Sequence, residues 1–163
     1  MSPIAVIDFE TTGISPDQGA RATEVAIVLL EGGRVVDRFQ SLMNAGTWVP
    51  PFITQLTGIT NAMVQAAPAA ASVMAEAARF VGSAPMVAHN AAFDRKFWQA
   101  ELALAGLPAA QPFACTVLHV RQQRGGHFGI GQRAVGLAGA RQAVVIDQHA
   151  QLVVGRLRVQ AAR

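Results

Sequence analysis

Three carboxylates define the chemistry this chain is equipped for. Asp8 and Glu10 stand two apart in Asp8-Phe9-Glu10-Thr11-Thr12-Gly13, after the apolar run Ile4-Ala5-Val6-Ile7. That run reads as a buried strand. Side chains alternate across a strand, so positions i and i+2 share a face. Two acids at the rim of an apolar strand repel, and one takes up a proton unless a cation intervenes. Oxygen-only ligands select hard ions, Mg²⁺ or Mn²⁺. A bare Asp-x-Glu is more often a solvated strand end with two incidental acids. Thr11, Thr12 and Gly13 shift that balance, because small hydroxyl residues and a glycine let a substrate approach the backbone closely. The third acid is Asp94, in Val87-Ala88-His89-Asn90-Ala91-Ala92-Phe93-Asp94. A strand ends here and a helix begins near Asn90, which can cap it. Asp94 then lies in the first turns, where the helix dipole favours a carboxylate whatever its role. His89 alone reads as a satisfied, half-buried histidine, and Phe93 and Phe97 read as core.

The elements that must position these acids follow from periodicity and turn chemistry. Pro3 to Phe9 is a strand and Thr11 to Gly19 a loop. Thr23 to Leu30 and Arg34 to Met43 are two further strands. Glu31-Gly32-Gly33 joins them in a short turn, so they pair antiparallel. Pro50-Pro51 starts a short helix, and Thr60 or Asn61 caps another. Ala69 to Val81 has helical spacing and ends at Gly82. Pro85 to Ala88 is a brief strand. Ala91 to Ala105 is a strong helix ended by Gly106 and Pro108, with Phe93, Phe97, Trp98, Leu102 and Leu104 on its apolar side. Phe113 to Leu118 suggests a fifth strand. Beyond Val120, Gly125, Gly126, Gly129, Gly131, Gly136 and Gly139 crowd one stretch and disfavour helix. Ala143 to Ile146 and Gln151 to Val154 look like short strands. Strands followed by helices alternating with strands indicate an α/β layer fold with a mixed sheet.

The bulk numbers agree. A chain of 163 residues, 52 % hydrophobic and 14 % charged, fits one ordered domain. No apolar run reaches the length of a membrane helix. The start, Met1-Ser2-Pro3-Ile4, carries no signal-peptide pattern. Cys115 is the single cysteine, which excludes an internal disulfide and any multi-Cys metal site. A reduced, cytoplasmic setting is the default expectation. Charge is uneven: residues 1–112 carry six basic and nine acidic side chains, whereas residues 113–163 carry seven Arg and one acid. A basic segment beside an acidic site suits nucleic acid. An Arg-rich tail from a GC-rich coding region explains it equally well.

Asp8-Phe9-Glu10-Thr11-Thr12-Gly13 followed by His89-Asn90-Ala91-Ala92-Phe93-Asp94 resembles the DEDD exonuclease superfamily. It is most similar to the histidine subclass, which includes the proofreading exonuclease subunit of bacterial DNA polymerase III and ribonuclease T. Thr57-Gly58-Ile59-Thr60 is similar to that family's His-Gly-Ile-Thr, with Thr57 in place of the His. Phe113-Ala114-Cys115-Thr116 is similar to the start of its fifth strand. The resemblance covers about residues 3–118. It implies an RNase H-like fold, a five-stranded mixed sheet flanked by helices. It implies two Mg²⁺ or Mn²⁺ ions held partly by Asp8, Glu10 and Asp94, and hydrolysis that removes the 3′-terminal nucleotide. Phe9, Thr11, Thr12 and Gly13 would contact that nucleotide; Leu56, Ile59 and Phe93 would supply apolar contact to bases. Asn90 would position the chain end or a backbone group. The implied partners are a single-stranded 3′ end and a DNA polymerase subunit.

The match stops at the last motif. The family's His-x-x-x-x-Asp supplies the general base and the fourth carboxylate, and residues 113–163 contain no such spacing. Asp147 is the only acid after Glu101; His149 follows it, and His127 has Gln132 five residues on. No general base is assigned. Residues 1–118 therefore read as the exonuclease-like core and 119–163 as a segment that departs from the pattern. A change of coding frame after about Leu118, loss of activity in this branch, or a different path bringing Asp147 and His149 or His127 to the site would each account for it. General-base help is typically worth about 10²–10⁴-fold, so turnover is expected to be weak or absent. Besides single-stranded DNA trimming of the proofreading type, two alternatives stand: an RNA 3′ exonuclease of the ribonuclease T and oligoribonuclease type, and a catalytically dead nucleic-acid-binding or polymerase-accessory module.

Overall fold

Runs of β-branched residues lay down the first three strands: β1 (Ile4–Thr11), β2 (Ala22–Glu31) and β3 (Arg34–Leu42). The fold is seen in a computed structural model, described for residues 3–116 and for the backbone of 132–136, 142–147 and 152–156. Gly32 and Gly33 both take positive φ, 58° and 78°, as the tight β2–β3 turn requires. β1 pairs antiparallel with β2 along its whole length, and β2 with β3.

Three helices follow: α1 (Pro51–Thr57), α2 (Asn61–Ala66) and α3 (Ala70–Val81). Pro51 opens α1, where its missing N–H costs nothing, and Gly58 closes it at φ 79°. Thr60 caps α2, its Oγ1 accepting from Met63 N at 3.2 Å. α3 buries Ala70, Val73, Met74, Ala77 and Val81, one stripe of a 3.6-residue repeat.

β4 (Met86–Ala88), α4 (Ala91–Leu104) and β5 (Phe113–Cys115) complete the sheet, whose order is β3-β2-β1-β4-β5. β4 runs parallel to both β1 and β5, so the sheet is mixed, as the sequence implies. One face of β1, Ala5, Ile7 and Phe9, packs with Phe97, Trp98 and Leu102 of α4 and the buried stripe of α3 in the main core. On the other face Val6 packs with Val28, Leu30 and Val87. Trp98 Nε1 donates to Gln111 Oε1 at 3.1 Å, which satisfies the one polar atom of the largest core side chain.

Leu104, placed by its spacing on the apolar side of this helix, is exposed: the buried stripe of α4 runs through Ala91, Asp94, Phe97, Trp98, Glu101 and Leu102, and Leu104 is not part of it. The fifth strand is shorter than its apolar run and ends at Cys115. The strands expected near 143–146 and 151–154 are present as β7 (Gln142–Asp147) and β8 (Leu152–Arg156). They form a three-stranded antiparallel sheet with β6 (Gln132–Gly136), which sequence patterning did not reveal. His127, His149 and the side chain of Asp147 lie outside the described residues. Among the described residues, no helix is long and apolar enough to cross a membrane.

Candidate functional site

The strand β1 is longer than its parallel neighbour β4, and that mismatch creates the site. On the shared edge Ala5 N donates to Pro85 O at 2.9 Å, and pairing ends at Val6–Val87. Farther along the same edge, Phe9 N has no strand to meet. It donates instead to Asp94 Oδ1 at 3.2 Å, across 85 residues of sequence. The donor is the peptide that joins Asp8 to Phe9, so Asp94 from α4 reaches the backbone between Asp8 and Glu10. Asp94 is fully buried and Asp8 is 5 % exposed. Glu10 is half-buried. Asp8 and Glu10 continue the face of Val6, because Phe9 between them turns into the core against Phe97, ring centroids 6.4 Å apart.

Charge at this rim is denser than the sequence motif suggests. Glu10 lies directly opposite Glu24 of β2 in the antiparallel register, a like-charge cross-strand pair of the unfavourable kind. Burial raises the Glu24 carboxyl above its ordinary pKa, against the opposing pull of a hydrogen bond donated by Gln40 Nε2 at 2.9 Å. A glutamate inside the otherwise apolar Val-Ala-Ile-Val strand was the available signal for this residue, but its placement depends on register.

The loop after the acids is tied down at its mouth. Thr11 Oγ1 donates to Gly13 O at 2.6 Å. Thr12 is bracketed by Arg21: its N donates to Arg21 O at 2.9 Å, and its Oγ1 accepts from Arg21 N at 3.0 Å. Gly13 sits where an added Cβ would stand 3.2 Å from the Ala20 side chain, so the turn leaves little room for a larger residue. Arg21 in turn forks onto Glu101 of α4.

The remaining expected residues divide. Leu56 is 61 % exposed on α1, whereas Ile59 is buried in a small cluster with Val49, Ile53 and Val64. Phe93 is partly buried and stacks at a tilt on Phe97 at 4.9 Å. Asn90 occupies the cap position of α4 but makes no side-chain cap bond. It takes the left-handed conformation, φ 60°, which asparagine tolerates better than most residues. His89 is half-buried with Nδ1 3.1 Å from Thr116 Oγ1. Thr57 spends its hydroxyl locally, donating to Ile53 O at 2.9 Å and accepting from Ile59 N at 3.1 Å. Among the described residues, no three or more His, Cys, Asp and Glu side chains group closely enough to hold a metal ion by themselves.

The model of the RNase T exonuclease family matches residues 5–150, past the end of the motifs read above. The 3′-5′ exonuclease DinG of Bacillus subtilis is 42 % identical over 101 residues, 62 % of this chain and 11 % of that protein. A DNA polymerase III subunit epsilon-like protein of Rhodobacter capsulatus is 40 % identical over 115 residues, 69 % of this chain and 16 % of that protein. The chain thus spans a small part of the curated relatives it matches. Among solved structures, exonuclease X in complex with 5′ overhanging duplex DNA superposes with a TM-score of 0.61 and 28 % identity, covering 77 % of this chain and 66 % of that one.

Proposed function

Because the chain belongs to the RNase T exonuclease family, we propose that it is a metal-dependent 3′→5′ exonuclease domain that trims single-stranded DNA from its 3′ end. The observation that carries this reading is the Asp94 carboxylate on the amide between Asp8 and Glu10. Acids far apart in the chain share one stretch of backbone, and two of them are withdrawn from water. A buried carboxylate is costly unless it is paired, hydrogen-bonded, protonated or bound to a cation.

The donor set suits the hard divalent ions, Mg²⁺ or Mn²⁺, of which members of the family generally use two. Asp8, Glu10 and Asp94 do not close a cage of their own. This is compatible with Mg²⁺, which is usually held by one or two carboxylates and completed by water and substrate phosphate. Divalent ions there would supply the positive charge and activated water that phosphodiester hydrolysis requires. The chain's own residues do the positioning. Thr11, Thr12, Gly13 and the backbone of Phe9 line the route past the acids and receive the terminal nucleotide. Leu56 offers its exposed side chain to a base, and the buried Ile59 and partly buried Phe93 are assigned the same apolar role. Asn90 stands at the strand-to-helix junction, one turn before Asp94, to position the chain end. No described residue is assigned as general base, so turnover is expected to be slow by about 10²–10⁴-fold relative to a complete site.

The test is a 5′-labelled single-stranded DNA oligonucleotide incubated with the full chain and Mn²⁺. Progressive shortening from the 3′ end, absent in Asp8→Ala, is the expected outcome. Binding without shortening would favour an inactive nucleic-acid-binding module, and faster shortening of the matched RNA would move the substrate to RNA. Activity that survives Asp8→Ala would contradict the assignment.

A further inference from the structure

Outside the carboxylate rim, the chain holds one buried ion pair among its described residues whose geometry reaches back to that rim. Glu101 is 2 % exposed and accepts three hydrogen bonds: from Arg21 Nε and Arg21 Nη2, both at 2.9 Å, and from Ala22 N at 2.9 Å. The guanidinium also donates through Nη1 to Ala45 O at 3.2 Å. A planar fork with its donors committed to two different partners fixes Arg21 in position and orientation, which a lysine could not do. Net stabilisation does not account for such a pair, since apolar residues of similar volume commonly do as well. What it does supply is a fixed geometry.

That geometry is transmitted in two directions. The backbone of Arg21 holds both the N–H and the hydroxyl of Thr12, the residue two beyond Glu10. Glu101 lies seven residues after Asp94 on α4, two turns along the same side of the helix and about 10.5 Å farther down its axis. α4 is therefore fastened to the sheet at two points on one side, by Asp94 to Phe9 N and by Glu101 to Arg21 and Ala22. Two such points fix both the rotation of a helix and its slide along its axis.

We propose that the Arg21–Glu101 pair is a positioning device for the reaction, holding the Thr11–Gly13 loop and the Asp94 turn of α4 in one register over β1. The inference rests on the nuclease reading above. Arg21 and Glu101 touch neither ion nor substrate; they set the distance between the loop that receives the terminal nucleotide and the carboxylate that completes the ligand set.

The experiment compares the wild-type chain with Arg21→Lys, Glu101→Gln and, as a stability-matched control remote from the rim, Val81→Ala. Each is measured for Tm, for Mn²⁺ affinity by calorimetry without substrate, and for kcat and KM on a single-stranded oligonucleotide well below its Tm. Misplacement of a reacting group by about 1 Å can cost on the order of 10²-fold. Arg21→Lys is accordingly expected to lose at least about tenfold in kcat and to bind Mn²⁺ more weakly, whereas Val81→Ala loses Tm alone. Glu101→Gln, which keeps a carbonyl acceptor for Ala22 N, is expected to fall between them. If Arg21→Lys and Glu101→Gln keep wild-type kcat and Mn²⁺ affinity while only Tm falls, the pair is a structural strut and the proposal is overturned. If the wild-type chain neither binds Mn²⁺ nor shortens DNA, the nuclease reading fails and takes this proposal with it. Should Glu101→Gln not fold, Arg21→Lys decides the matter.

Discussion

The two ends of α4 meet the sheet through carboxylates held in different ways. Glu101 is matched by the guanidinium of Arg21, the residue just before β2, with the Ala22 amide as its third donor. Asp94, equally withdrawn from water, meets the amide of Phe9 at the open end of β1, beside two further acids. One buried charge is compensated by a cation built into the chain. The other accepts from the amide that joins Asp8 to Phe9, on a strand whose Glu10 stands opposite Glu24. Burial alone does not separate the two acids; the donors that the fold presents to them do, a guanidinium and an amide at Glu101 and the Phe9 amide at Asp94.

Breaking that contrast should give its largest effect at Asp94. Asp94→Asn keeps an oxygen that can accept from Phe9 N but removes the charge. It is expected to cut 3′ shortening by at least about 10²-fold in single-turnover assays, with Tm unchanged or raised because like-charge crowding is relieved. A matching loss of Tm would instead make Asp94 a structural acid like Glu101.

Glu101→Ala should do the reverse to stability. It strands a guanidinium and the Ala22 amide, and removing one partner of a buried pair costs about 3–5 kcal/mol. Arg21 is 28 % exposed and can recover some solvation, so the low end, about 3 kcal/mol, is expected. For a domain of this size that is a fall in Tm of about 10 °C, read by thermal melting. A change of a degree or two would show that the pair contributes little rigidity.

The smallest effect sharpens the picture of the rim. The Glu24 carboxyl is raised by burial. A carboxyl whose folded pKa exceeds its unfolded value stabilises the fold while protonated. That contribution is present below the ordinary carboxylate range and is lost as pH rises through the folded pKa. Glu24→Gln removes the penalty at neutral pH. Its Tm should therefore exceed the wild-type value slightly near neutrality, with the gap closing as pH falls into the carboxylate range. A gap that widens toward acid pH would contradict the assigned direction.

Much of this molecule was legible in its residues because local chemistry dictated it. Gly32-Gly33 forced the β2–β3 turn, Thr60 capped α2, and the Asp-x-Glu at the end of an apolar strand marked the rim. The expected order of strands and helices through Cys115 follows from such signals. What stayed hidden depends on distant pairing. Arg21 and Glu101 are 80 residues apart, and nothing near either one announces the other. Glu24 faces Glu10 only through the antiparallel register. Asn90 has the residue type of a cap, yet its left-handed backbone leaves its side chain without that bond. Leu104 fits the apolar period but is left out of the buried stripe, which runs through Phe97, Trp98, Glu101 and Leu102. The general base expected of the family has no counterpart by spacing, and the region that would carry it lies mostly outside the described residues.

The most direct measurement is an anomalous-scattering experiment on crystals of the full chain soaked in Mn²⁺. The account predicts at least one Mn²⁺ peak within coordinating distance of Asp8 and Asp94, lost in crystals of Asp8→Ala. Mn²⁺ bound elsewhere on the protein, with no density among Asp8, Glu10 and Asp94, would contradict it.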